Sequence, residues 1–161
     1  MSRQVLSTQL LAREGAEIEA FTALLRAHAA TTREFNADLV ADHGLTINDY
    51  EVMLRLAHAP DRRLRRVDLA EEVFLTPSGI TRLLAGLEHS GWVERVSCAS
   101  DARVTYAQLT EEGLEKLRAA AKSHVASIRI LFSERFSPTE LEALRDLLQR
   151  LPLAEGASCE P

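Results

Sequence analysis

The chain has 161 residues, of which 46% are hydrophobic, 27% charged and 5% aromatic, and its net charge at pH 7 is −5. This composition excludes a disordered or fibrous protein and is typical of one compact unit, with or without a helical appendage. No apolar run approaches the roughly 18 residues that span a bilayer, and the N-terminus lacks the apolar core of a signal peptide. We therefore expect a cytoplasmic protein without a membrane partner.

The start of the chain predicts an arm and two helices. Residues 1–15 are expected to form a loosely attached N-terminal arm, and residues 16 to about 41 a long helix that ends near Gly44. This helix is longer than a lid over a neighbouring domain requires, so part of it should lie in a dimer interface. A second helix begins after Thr46, whose hydroxyl can cap it. Its apolar side carries Tyr50, Met53, Leu54 and Ala57.

Arginines are concentrated after the second helix. Within five residues the chain has Arg62, Arg63, Arg65 and Arg66. Residues 63–65 predict a short edge strand. From residue 61 to residue 103 seven arginines balance seven acidic residues, so the whole net negative charge lies outside this segment. Arg63 and Arg65 are predicted phosphate contacts, so the affinity for DNA should depend strongly on salt concentration. The alternative is a solvated turn.

Residues 67–91 predict two helices joined by a turn. The second helix can be capped by Thr76, and Pro77 suits its first position. Its apolar stripe is Ile80, Leu83, Leu84 and Leu87, and its opposite face carries Ser78, Thr81, Arg82, Ala85 and His89. Such a helix can enter a DNA groove, with Ser78, Thr81 and Arg82 at the bases and its start near phosphate. A two-helix corner of an ordinary helical domain is the alternative.

Two short strands follow, at residues 92–96 and 104–109, joined by a small polar loop. The order is that of a winged helix-turn-helix. Arg103 in the loop is expected to enter a minor groove, with Asp101 orienting it. The alternative is a solvated hairpin with an incidental charge pair. Cys98 in the same loop is either an oxidation-sensitive thiol or an inert one.

The C-terminal part predicts a long helix from Thr110 to about Arg135 and a final helix begun by a capping box at Ser137 and Glu140. The fold class is therefore mainly α with a small β-wing. A winged helix-turn-helix at 46–109 lies between helical dimerisation regions at 16–45 and 110–151, and residues 152–161 form a disordered tail. Because neither terminal helix has a complete partner in the chain, two copies are expected to pair with twofold symmetry.

Several segments resemble the MarR family of transcriptional regulators. They are residues 75–82 (LTPSGITR), Asp101 with Arg103, and the run from Leu109 through Thr110 to Gly113. The resemblance covers roughly residues 18–150. It implies a homodimer whose winged domains straddle a palindromic operator, and release of the DNA by a small ligand or an oxidant. The peroxide-sensing branch of the family carries its reactive cysteine near the start of the first long helix, where this chain has none.

No enzyme signature is present, because the chain lacks a phosphate-binding glycine loop, an H-E-x-x-H motif and a C-x-x-C motif. The five histidines have no metal-ligand spacing, so neither a metal nor a cofactor is expected. We predict a ligand-responsive homodimeric repressor that binds double-stranded DNA; a winged-helix module that binds protein without DNA is the alternative. The effector would bind between the long helices and the winged domain. Its predicted contacts are His28, Thr32, Met53 and His124.

Overall fold

Residues 15–73, 75–97 and 104–152 are described by a computed structural model, and they form six α-helices and three short strands. The predicted N-terminal arm and disordered tail lie outside the described residues, apart from positions 15 and 152. The helices are α1 (Ala16–His43), α2 (Ile47–His58), α3 (Arg66–Glu72), α4 (Pro77–His89), α5 (Glu111–Ser133) and α6 (Pro138–Leu148). The strands are β1 (Arg63–Arg65), β2 (Val93–Ser97) and β3 (Thr105–Leu109), and a 3₁₀ turn, Pro60–Arg62, precedes β1.

The sheet is antiparallel with the strand order β1-β3-β2, so the last strand in the chain lies at the centre. Arg63 pairs with Gln108 in the β1–β3 register, and Val93 pairs with Leu109 in the β2–β3 register. The predicted edge strand at 63–65 is therefore confirmed. Together with the helices it gives the mainly α fold with a small β-wing that the sequence predicts.

Short side chains at the predicted caps start four of the helices. Thr46 accepts a hydrogen bond from the backbone N–H of Asp49 at 3.1 Å, and the Asp49 carboxylate accepts one from the Thr46 N–H at 2.9 Å. Each of these bonds satisfies a backbone donor that the first helical turn leaves unpaired. Equivalent side-chain caps begin α4, α5 and α6 at Thr76, Thr110 and Ser137.

Some helix ends differ from the predicted ones by a few residues. The first of the two helices expected within residues 67–91 runs from Arg66 to Glu72, and the final helix ends at Leu148, short of the limit of 151 expected for the helical region. Terminal turns have few packing contacts to hold them, so the apolar periodicity sets their limits only loosely. After α4 the chain reverses at Gly91, where φ is +76°, a value that glycine adopts without strain.

One cluster of buried apolar side chains holds the helices and the sheet together. It runs from Leu39 on α1 through Met53 on α2 and Leu84 on α4 to Leu109 on β3 and Ala120 on α5. The C-terminal end of α1 and the N-terminal half of α5 therefore pack into the same core as the winged segment. This core fixes the angle at which α4 leaves the body of the protein.

The first half of α1 and the helix α6 are packed less completely than the core. The N-terminal half of α1 exposes apolar side chains, and α6 has no buried residue at all. Within the described part of the chain, no helix combines the length and the hydropathy that crossing a bilayer requires. The same residues contain no group of three histidine, cysteine or acidic side chains placed to hold a metal ion.

Candidate nucleic-acid interface

The helix α4 presents one buried and one exposed face, as its sequence predicts. Ile80, Leu84 and Leu87 are buried in the core. The side chains on the opposite face are exposed: Ser78, Thr81, Arg82, Ala85 and His89. The apolar face anchors the helix to the body of the protein, and the exposed face offers small and polar groups to a partner. Leu83, the fourth member of the predicted stripe, is half-buried against the same core, so the stripe is confirmed.

Two side-chain hydrogen bonds lie at the start of α4. The Thr76 hydroxyl accepts from the Gly79 N–H at 3.1 Å, and the Thr81 hydroxyl donates to the carbonyl oxygen of Pro77 at 2.7 Å. No acidic side chain lies in this turn. The unpaired N–H groups of a helix start carry partial positive charge, so this end of α4 is suited to a negatively charged partner.

Arg82 lies one turn further along the same face. Its guanidinium has no hydrogen bond and no ion pair with any described residue, and the side chain is exposed. An arginine in this state keeps all five N–H donors for an external partner. Such a fork matches two acceptor atoms on the edge of a guanine or the oxygens of a phosphate.

The three arginines just before α3 differ from Arg82, because each is paired with a carboxylate of the same chain. Arg65 binds the Asp68 carboxylate through two hydrogen bonds of 2.6 and 2.7 Å, which raise the pKa of Arg65. Arg63 pairs with Asp61 at 3.1 Å and lies over the ring of Tyr106, 5.3 Å from its centroid. A phosphate at either predicted contact would therefore meet a cation that is already paired.

The third pair joins the turn before β1 to the start of α5. Arg62 binds the carboxylate of Glu111, and the hydrogen bond and charge of Arg62 lower the pKa of that carboxyl. Asp61 and Arg62 both have positive φ values, of 52° and 54°. The ion pair links this turn, which leads into the edge strand of the wing, to the first turn of α5.

The strands of the wing are paired along their whole described length. The last pair towards the tip is Ser97 with Thr105. The predicted minor-groove contact Arg103, its neighbour Asp101 and the thiol of Cys98 lie outside the described residues. Their roles stay predictions, and the strand register only shows that both strands lead into the loop that carries them.

Comparison with known proteins decides the family of this fold and site. A model of the MarR family matches residues 43–104, which include every predicted DNA contact. The repressor YetL of Bacillus subtilis is 32% identical over 115 residues, which cover 69% of this chain and 68% of that protein. The chain belongs to the MarR family. A further relative, the regulator MhqR of the same organism, is 29% identical over 136 residues, covering 84% of this chain and 91% of MhqR.

A solved MarR-family structure agrees with this assignment. Sco3205 of Streptomyces coelicolor, a MarR-family regulator crystallised in complex with DNA, is 32% identical and has a TM-score of 0.76. The match covers 84% of this chain and 86% of Sco3205. The resemblance and the winged-helix fold predicted from the sequence are thus confirmed. The protein is a MarR-family transcriptional regulator, and its named relatives are regulators rather than enzymes.

The predicted effector contacts of this MarR-family chain occupy unlike environments. His28 is exposed and Thr32 half-buried on α1, whereas none of the Met53 side chain is exposed. A ligand would reach Met53 only by displacing core side chains, because Met53 belongs to the central apolar cluster. The apolar spacing of α2 predicted this burial but not its completeness.

His124 lies where α1, α2 and α5 meet. Its ring contacts Phe35 and Tyr50 edge-on, with centroid distances of 5.2 and 4.9 Å. Its Nδ1 atom is buried and has no hydrogen-bond partner among the described residues. Burial lowers the pKa of His124, and the charge of Asp38 opposes this shift. The predicted effector contacts included neither Phe35 nor Tyr50, since no spacing rule shows that residues on three separate helices meet.

Proposed function

We propose that the protein is a ligand-responsive, homodimeric repressor that binds a palindromic operator in double-stranded DNA. The observation that carries this proposal is the exposed face of α4, which begins at a helix end without acidic groups and bears Arg82, a cation that pairs with none of the described residues. Ser78, Thr81 and Arg82 meet base edges in the major groove, while Thr76 and Pro77 hold the helix start close to phosphate. The DNA complex of Sco3205 supports this use of the fold.

The wing supplies a second contact in this proposal. Arg103 enters the minor groove beside the recognition helix, where the potential is negative, and Asp101 orients it. The two elements divide the task, because major-groove contacts distinguish all four base pairs and minor-groove contacts mainly read groove width. Arg63 and Arg65 are kept as weaker phosphate contacts, since each must first leave its carboxylate partner.

Dimerisation is supported by the apolar side chains that the single chain leaves uncovered. On α1, Phe21 is 57% and Leu25 52% exposed, and on α6 Leu147 is 55% exposed. Apolar surface gathered on two terminal helices is typical of an interface with another chain. Pairing these helices about a twofold axis places two α4 helices on one face of the dimer, so that they read two half-sites of a palindrome.

The effector binds between the long helices and the winged domain in this scheme. His28, Thr32 and His124 are its proposed contacts, with Met53 in the core behind them. Because α1 and α5 pack into the core of the winged domain, a ligand that wedges between them changes the separation of the two recognition helices. It releases DNA only if it binds the DNA-incompetent separation more tightly than the competent one.

The proposal is tested by fluorescence anisotropy of labelled DNA from the region upstream of the gene, at two salt concentrations, with a random duplex as control. Arg82→Ala should weaken binding to the specific duplex by about 1–3 kcal/mol and relax the sequence preference. Arg118→Ala, an exposed arginine on α5, serves as the matched control and should leave both unchanged. An equal loss on both duplexes would assign Arg82 to phosphate instead.

Two further variants test the wing and the dimer separately. Arg103→Ala should lower affinity while analytical ultracentrifugation shows an unchanged dimer; unchanged affinity would remove the wing from the mechanism. Phe21→Glu should yield a monomer with reduced affinity for the operator, because the two half-sites are then bound independently. If the wild type binds neither duplex at low salt, DNA binding is refuted and a protein-binding module takes its place.

A further inference from the structure

A cleft of about 360 Å³ lies between α3 and α4, beside the recognition helix. Its walls include Arg66 and Val67 from the start of α3, and Pro77 and Thr81 from the start of α4. Val67 is 69% exposed, the highest value among the exposed large apolar side chains of the described residues. An apolar side chain this exposed, at the edge of the proposed DNA-binding face, is stabilised when a partner covers it with carbon atoms. A partner that also carries charge would match the arginine beside it.

Arg66 is the cation of this cleft, and it differs from its neighbours in having no carboxylate partner among the described residues. Arg62, Arg63 and Arg65 are each paired with a carboxylate of the same chain. Arg66 has no hydrogen bond or ion pair with any residue in the described part of the chain. Of the four arginines in this stretch, Arg66 is thus the one whose charge is available to an external anion.

We propose that the cleft receives the sugar–phosphate backbone of the operator, with Arg66 binding a phosphate and Val67 packing against the neighbouring deoxyribose. This inference rests on the proposed DNA-binding function and adds contacts that the sequence prediction did not include. In helix-turn-helix proteins the first helix crosses the backbone while the second lies in the major groove. A DNA strand alternates anionic phosphates with the apolar carbons of its sugars. One phosphate and the next sugar therefore match the cation of Arg66 and the neighbouring apolar side chain of Val67.

Glu71 decides where in the cleft the phosphate lies. Its exposed side chain lines the same cleft one helical turn after Val67. A carboxylate repels phosphate, so the anion is held at the Arg66 end and the strand can run in only one position across α3. Contacts of this kind fix the register of the protein on DNA without reading its sequence.

The expected size of the effect follows from counterion release. Each phosphate contact contributes about 0.9 to the slope of log K against log salt, so one contact is worth about eight-fold between 1 M and 0.1 M salt. A dimer places two Arg66 side chains on one operator. Arg66→Gln should therefore lower the slope by nearly 2 and the affinity at 0.1 M salt by up to about 60-fold, equally on operator and random DNA.

The matched control is Arg65→Gln, which removes the same charge from the adjacent residue, one that already binds Asp68. It should change the slope by less than half as much as Arg66→Gln. Arg66→Lys should restore most of the slope, because the charge returns.

Val67→Ala should weaken binding several-fold at every salt concentration and leave the slope unchanged. Glu71→Gln should strengthen binding at low salt. Circular dichroism confirms that each variant is folded.

Equal slopes for Arg66→Gln and Arg65→Gln would overturn the inference, because the cluster would then act only through its summed charge. An unchanged slope for Arg66→Gln would overturn it as well. Both outcomes leave the proposed function standing, provided that the wild type prefers the operator and Arg82→Ala relaxes that preference. If the wild type binds neither operator nor random duplex, the proposed function and this inference fail together.

Discussion

The first turn of α5 passes so close to the wing that a single methyl group should disrupt it. A Cβ atom added at Gly113 would lie 2.8 Å from the carbonyl carbon of Trp92 and 2.9 Å from Leu109 Cδ1, with the carbonyl oxygen of Trp92 nearer still. That oxygen accepts a hydrogen bond from the Thr110 N–H at 3.1 Å. The obstacle is therefore backbone that is itself held in place, and Gly113→Ala cannot be accommodated by rotating a side chain.

The cost follows from three terms. Forcing a carbon into a packed site costs about 1–3 kcal/mol. Moving Trp92 away from Thr110 loses a hydrogen bond worth about 1 kcal/mol. Alanine in place of glycine within a helix returns about 0.5–1 kcal/mol. We expect Gly113→Ala to lower the free energy of unfolding by about 1–3.5 kcal/mol.

Gly86 on α4 provides the matched control, because a Cβ atom there would meet nothing within 4 Å. Gly86→Ala should raise the free energy of unfolding by about 0.5–1 kcal/mol, since only the helix-propensity term remains. Urea unfolding followed by circular dichroism measures both, at one protein concentration because the stability of a dimer depends on concentration. If Gly113→Ala is as stable as the wild type, the close approach of α5 to the wing does not exist in solution.

Two further predictions concern a helix cap and a buried histidine. Thr46→Ala should lower the free energy of unfolding by about 1 kcal/mol, because it removes the cap that accepts from Asp49, and an unchanged urea midpoint would contradict this. Burial lowers the pKa of His124 below its unfolded value of about 6.5, so the folded state favours the neutral ring. The contribution of His124 to the free energy of unfolding is therefore complete above about pH 6.5. It is lost as the pH falls towards the folded pKa. Urea unfolding at about pH 7.5 and about pH 5.5 should therefore show a smaller loss of stability for His124→Phe than for the wild type, whereas the exposed His89→Gln should behave like the wild type. Equal losses for His124→Phe and the wild type would refute the argument.

The sequence by itself determined the features that depend on neighbours in the chain. A capping residue and the N–H groups it satisfies lie within three residues of each other. The starts of three helices could therefore be predicted from Thr46, Thr76 and Thr110. The stripe of α4 repeats with the helical period, so its buried and exposed faces follow from spacing alone. The family could also be recognised, because its motifs are short and ordered along the chain.

Only the tertiary structure decided which charges and contacts are available. Arg62 pairs with Glu111, which lies 49 residues later, while Arg66 in the same cluster pairs with no carboxylate among the described residues. The sequence pattern gives no reason to expect this difference between the two arginines. The contact of Gly113 with Trp92 and that of His124 with Phe35 and Tyr50 also join separate elements. Such contacts arise when the common core sets the distances between helices, and because side-chain charge and burial depend on those distances, no local pattern encodes them.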